Sequence, residues 1–154
     1  MSDPLIETWQ IHNRIHLYLL RALKPEDLSV CLAGKGRTIG DVMAHTHNVR
    51  LMWLKSAAPE LLAGVEKVET GSDVSLEVLA GAFEASGAAI ERLIAGALMS
   101  CGRVKGFKPH VTAFVGYLIS HESHHRGQVT LAIRNAGRPL DKKIMYGLWE
   151  WGVR

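Results

Sequence analysis

His121-Glu122-Ser123-His124-His125-Arg126-Gly127-Gln128, directly after the apolar run Val115-Gly116-Tyr117-Leu118-Ile119, is the densest signal in the chain. Three of the eight histidines fall within five residues there. The apolar residues before the cluster, and Val129, Leu131 and Ile133 after it, predict a helix that continues to about Asn135. Residues four apart on a helix differ by about 40° in direction and roughly 6 Å in height. His121 and His125 therefore share a face and could bind one metal ion. His124 points about 100° away from His125 and stays outside that pair.

Working outward, Gly137 and Pro139 end this helix, and Pro109 can occupy its first turn. A third helix is expected over about Val74–Met99, with Asp73 as its N-cap and a helical period through Leu76, Leu79, Phe83, Ile90, Leu93, Ile94 and Leu98. Gly81, Gly87 and Gly96 each lower its intrinsic stability by roughly 1 kcal/mol relative to alanine, and they permit close helix approach. A second helix spans about Ile39–Ala57, with Pro59 at its end. Thr38 followed by Asp41 signals its start, although Glu or Gln is the usual partner in a capping box. The first helix runs from about Leu5 to Leu23, between Pro4 and Pro25, on a stripe of Trp9, Ile15, Leu19, Leu20 and Leu23. Glu26–Arg37, Ala63–Ser72 and Gly102–Lys108 read as connections, and the aromatic-rich Ile144–Trp151 packs back on the helices. No stretch keeps a strand period for long. The expectation is an all-α protein, a four-helix up-and-down bundle with a short C-terminal segment, forming one domain over residues 1–154.

Composition narrows the partners. Nearly half of the 154 residues are apolar, but polar residues interrupt every run well short of a membrane span. Met1–Glu7 has no positive region followed by an apolar stretch, so no secretory signal is expected. Cys31 and Cys101 lie far apart, fit no ligand spacing and read as reduced thiols of a cytoplasmic protein. Basic residues exceed acidic ones by only three, and apart from the short group Arg103, Lys105, Lys108 they are scattered. Nucleic acid would require a clustered stripe. A small-molecule partner fits better than nucleic acid or a membrane.

Side chains from facing helices converge inside a bundle, which makes the interior a natural metal site. The pair His121/His125 needs at least one further ligand. The second helix offers His45 and His47. Its stripe Val42, Val49, Met52 and Trp53 puts His45 nearer the core, whereas His47 lies nearer Met43, Arg50 and Leu54 on the flank. His45 is preferred, with His47 as the alternative. His12 and His16 form another four-spaced pair, beside Trp9 and Leu20, that either faces the same cavity or lies at a helix boundary. His110 and His124 read as ordinary polar positions. Residues 121–125 also match H-E-x-x-H, the zinc-peptidase pattern in which the glutamate activates water. A third ligand downstream would then have to be Glu150, and no strand is evident to align a peptide, so peptidase stands as an alternative.

Thr38-Ile39-Gly40-Asp41-Val42-Met43-Ala44-His45, followed by Trp53-Leu54, resembles the second helix of the DinB/YfiT-like proteins. His121-x-x-x-His125-Arg126-Gly127-Gln128 resembles that family's later histidine signature, and Leu131, Arg134, Gly137 and Pro139 fit its usual ending. The likeness extends over nearly the whole chain. It implies a four-helix bundle holding a divalent metal through His45, His121 and His125. It also implies a homodimer and, in some relatives, thiol-dependent transferase or isomerase chemistry with a small cytoplasmic thiol. Zinc and nickel both suit imidazole ligands. Glu122 is the candidate base, or else a partner behind the ligands or a surface acid; Gln128 and Asn48 are candidate hydrogen-bonding groups at the pocket. A non-catalytic metal- or ligand-binding bundle is the competing reading, and a structural dimer with vestigial histidines the third.

Overall fold

Local signals start each of the four long helices in a computed structural model that describes residues 3–71 and 74–154. Helix α1 covers Pro4–Ala22, α2 Ile39–Ala57, α3 Leu76–Met99 and α4 Val111–Asn135. The Asp3 carboxylate accepts from the Leu5 N–H at 2.8 Å, while Pro4 has no N–H to satisfy. Thr38 and Asp41 form a reciprocal capping box after all: Thr38 Oγ1 accepts from the Asp41 N–H at 3.1 Å, and Asp41 returns the contact at 3.3 Å. The shorter aspartate reaches the cap as glutamate usually does. Ser75 caps α3, one residue inside the expected start; Asp73, the expected cap, lies outside the described residues. His110 caps α4 through Nδ1, which accepts from the Ala113 N–H at 3.2 Å, so Pro109 precedes the helix and is not part of its first turn. Gly137 ends α4 at φ +77°, a conformation that glycine adopts without strain.

The bundle is all-helical, and its path is more particular than a simple up-and-down succession. Two apolar clusters reveal it. One joins Leu19 and Leu20 of α1, Ile39 and Met43 of α2, Leu79 and Phe83 of α3, and Ala132 and Ile133 of α4. The other joins Trp9, Leu54, Ile90, Leu93, Phe114 and Leu118. The start of α1 therefore lies beside the start of α4, and both lie beside the ends of α2 and α3. Helices α1 and α4 run one way, α2 and α3 the other. The helices pack around a ring in the order α1, α3, α2, α4, which puts α1 diagonal to α2. The long connection from Ala58 to Ser75, opened by a 3-10 turn at Pro59–Leu62, carries the chain back so that α3 can run parallel to α2.

Of the three glycines in α3, only Gly87 serves close approach. A Cβ there would overlap the Asn13 amide, and the Gly87 carbonyl accepts from Trp9 Nε1 at 2.9 Å; Gly81 and Gly96 face open space. The C-terminal segment folds into a short helix α5, Lys142–Gly147, and a 3-10 turn at Trp151–Val153. Leu148, Met145 and Trp151 pack on the first apolar cluster, and the Arg154 guanidinium lies 3.8 Å over the Tyr18 ring. Among the described residues no helix is long and apolar enough to cross a membrane.

Candidate metal centre

Because α2 and α4 are antiparallel neighbours, the second turn of α2 meets the middle of α4. That juxtaposition brings His45 to His121 and His125. The ring centroids stand 4.7 to 5.7 Å apart, and one nitrogen from each ring lies within 4.8 Å of the other two. His125 Nδ1 faces Gln128 Oε1 at 2.8 Å. An amide oxygen only accepts, so Nδ1 carries the proton and Nε2 presents its lone pair. That Nε2 faces His121 Nε2 at 3.2 Å. Imidazole bonds of about 2.0–2.1 Å around a tetrahedral ion put neighbouring ligand atoms about 3.3 Å apart. The two α4 nitrogens therefore already stand at the spacing of two ligands of one divalent ion, with a His45 nitrogen within 4.8 Å of both.

Burial, with Arg37 and the other two rings behind it, pushes the His45 pKa down. Burial and the His125 ring do the same for His121. Both rings are consequently neutral at pH 7, the state a metal requires. Tyr117 lies one turn below His121 with its ring nearly parallel, 6.3 Å away, meets Trp53 edge to face and Phe107 at a tilt, and so leads into an edge-to-face cluster of Trp53, Phe107 and Phe114.

The other candidates fall elsewhere. His47 is fully buried, and both its nitrogens are taken: Nδ1 pairs with Ser86 Oγ at 3.0 Å and Nε2 with the Glu66 carbonyl at 2.8 Å. It holds the α2–α3 connection in place and lies outside the group formed by His45, His121 and His125. The order of burial is the reverse of the sequence expectation. Met43, His47, Arg50 and Leu54 form the core stripe of α2, whereas Met52 is 54% exposed and His45 is half-buried at the edge facing α4. Asn48 is not at the centre either; it bonds the backbone of Val68 in both directions, at 2.8 and 3.1 Å. His124 is exposed.

Glu122 differs most from expectation. It is fully buried and turned from the histidine pair into the bundle. Arg50 Nε and Nη2 each donate to it at 2.7 Å, and His12 and His16 Nε2 approach the same Oε2 at 2.9 and 3.0 Å. Burial opposes its charge, but the Arg50 guanidinium and these hydrogen bonds hold its pKa well below the usual carboxylate range. An anion so fully committed is a poor base. The H-E-x-x-H reading thereby loses its glutamate, and Glu150, the ligand it would have needed, pairs with Arg154 at 3.5 Å.

His12, His16 and Glu122 are themselves close enough to hold a metal. Arg50 already supplies their countercharge, and its third nitrogen is spread over Asn13 at 2.7 Å, Ser86 and the Phe83 carbonyl. A dication here would face a guanidinium in a dry interior, which favours the His45 set. Sequence reading missed this network. Its signal was Arg50, a cation spaced three and four residues from His47 and Leu54 on a buried stripe.

Fold and site thus define an all-helical bundle with histidine and glutamate groups able to hold a metal ion. A family model of the DinB family matches residues 1–151, and the chain belongs to that family. Comparison with curated proteins found no match.

Proposed function

We propose that His45, His121 and His125 hold one divalent ion, zinc or nickel, and that the protein is a metal-dependent enzyme acting on a small molecule. The observation that carries this reading is the convergence of three imidazoles, two of them held neutral by burial, with Nε2 atoms of His121 and His125 only 3.2 Å apart. Three neutral ligands leave an ion's charge uncompensated, and such an ion draws the pKa of a water or thiol it binds toward neutrality, giving hydrolysis or small-thiol transfer. Gln128 fixes the His125 tautomer. Tyr117 and Trp53 form an aromatic flank against which the substrate body can lie. Glu122 acts as a tether between α4 and α2, not as the base. Family resemblance extends the proposal to a single-domain cytoplasmic homodimer.

Metal content of protein made without a histidine tag tests the reading. About one ion per chain in the parent and none in His121→Ala/His125→Ala, with the fold kept, supports it; equal metal in both overturns it. Thiol-transfer, ester and amide substrates then separate enzyme from carrier. One observation favours the carrier as a second reading: the carboxylate nearest the triad, Glu122, is locked away. Stoichiometric metal with no turnover of any of these substrates would select it.

A further inference from the structure

A groove of about 800 Å³ lies at the end of the bundle where α2 and α3 finish, and none of the three histidines lines it. Its floor is apolar: Leu61, Leu93, Ala97, Val104 and Phe107. Its rim carries Arg92, Arg103, Lys105 and Lys108, all exposed, against the single acid Glu60. Among the described residues none of these four cations has a carboxylate partner. Four cations gathered on one rim exceed the net excess of three for the entire chain. Such a rim over low-dielectric walls concentrates anions.

The wall bearing these charges is braced. Gly102 N–H donates to the Ala97 carbonyl and Val111 N–H to the Gly102 carbonyl, both at 2.8 Å, and Phe107 N–H to the Val104 carbonyl at 3.0 Å. Val104 anchors the segment at 2% exposure. Glycines at φ +67° and +86°, Gly102 and Gly106, let the segment turn twice. Arg103 is itself oriented by a 2.7 Å bond to the Lys108 carbonyl. The groove is therefore preformed, and a ligand gains affinity by not having to order it. Its volume falls in the range of small-molecule sites.

We infer that this groove binds a small amphipathic anion, an apolar chain or ring resting on Leu93, Val104 and Phe107 with a carboxylate or phosphate held by Arg103 and its neighbouring lysines. The site is independent of the metal centre and does not need its chemistry.

Calorimetric titration of the full chain with octanoate, octyl phosphate and octanol tests the assignment. Expected is saturable one-to-one binding of an anion, at least tenfold tighter than octanol, with the tighter anion naming the headgroup. Gly96→Leu is the blocking variant: exposed Gly96 lines the groove and a Cβ added there meets nothing within 4 Å, so the larger side chain has room to enter the groove without disturbing the core. It should abolish binding without lowering the melting temperature, which loss of a helical glycine tends to raise, and without changing metal content. Arg103→Gln/Lys105→Gln should weaken the anions about tenfold and leave octanol alone. Cys101, an exposed thiol in the lining, supplies a second readout, because bound ligand should slow its alkylation and spare that of Cys31. Anion binding that persists in folded Gly96→Leu, or octanol binding as tightly as the anions, would overturn the inference. So would self-association of the parent that Gly96→Leu abolishes while no amphiphile binds, which would make the groove a subunit interface.

Discussion

Two groups of ionisable side chains, one of three and one of four, meet α4 one residue apart, and their surroundings have made them opposites. His121 and His125 face α2 at the bundle edge, where His45 joins them, and among the described residues none of the three is in an ion pair. Glu122, between them in sequence, faces inward and meets His12, His16 and Arg50 with every oxygen bonded. A 100° step on a helix separates a set of open donors from a closed salt-bridged knot. The closed knot joins α1, α2 and α4, and through Ser86 and the Phe83 carbonyl it reaches α3. The difference teaches a division of labour: the inner group fixes the helices whose outer faces present the donors.

The largest effect should come from unbalancing the inner group. Arg50→Met leaves Glu122 buried without its counter-ion and should cost about 3–5 kcal/mol in urea unfolding at pH 7. Arg50→Met/Glu122→Met should recover a large part of that, because both buried charges go together. A single-variant loss below about 1 kcal/mol would mean the pair is effectively hydrated, and the contrast between the groups would collapse. Next, His121→Ala should lower metal affinity at least a hundredfold, yet change the stability of the metal-free protein by less than about 1 kcal/mol. His16→Ala should do the reverse, keeping the metal and losing about 2 kcal/mol or more. Dialysis with elemental analysis and unfolding in chelator read the two effects separately.

Acid sharpens the same comparison. Burial pushes His16 down to about 3, against 6.5 in the unfolded chain, and pushes His12 down as well. Between those two values the unfolded chain binds the extra proton, so stability rises with pH there. Its contribution is complete above about pH 6.5 and is lost progressively as pH falls toward 3. Each such histidine adds a slope of up to about 1.4 kcal/mol per pH unit. Glu122, held well below 4.5, adds to the loss at the acid end. His16→Gln should flatten the profile between pH 6 and 4; an unchanged slope would mean that His16 is protonated in the native protein.

Helix ends were legible from sequence because prolines, caps and terminal glycines act locally: Pro4, the Thr38–Asp41 box and Gly137 each do what their chemistry dictates. The order of helices around the bundle was not. It depends on the long connection after Ala58, whose length permits a parallel return but does not demand one. The α2 stripe was misread for a physical reason. Apolar weight placed Met52 and Trp53 inward, but the core instead takes His47 and Arg50, whose polar atoms are satisfied by Ser86, Glu66, Asn13 and Glu122. Partners that pair a buried polar group lie far away in sequence, so hydropathy alone cannot place it. His121 and His125 were legible because a four-residue spacing needs no partner to be meaningful.

The smallest expected effect concerns Gln128, which orients the outer histidine His125 without touching the inner group. Its Oε1 accepts the His125 Nδ1 proton at 2.8 Å, keeping Nε2 unprotonated and aimed at His121. Gln128→Ala should weaken metal binding about tenfold while leaving the melting temperature of the metal-free protein unchanged, since partners of this kind tune affinity by about 10–100-fold. Gln128→Glu keeps an acceptor in place and adds charge, so it should restore or exceed parental affinity. Titration with zinc against a competing chelator measures all three proteins. If Gln128→Ala binds as tightly as the parent, the His125 ring is oriented by packing along α4 alone, and the outer group owes its geometry wholly to the helices that the inner group holds.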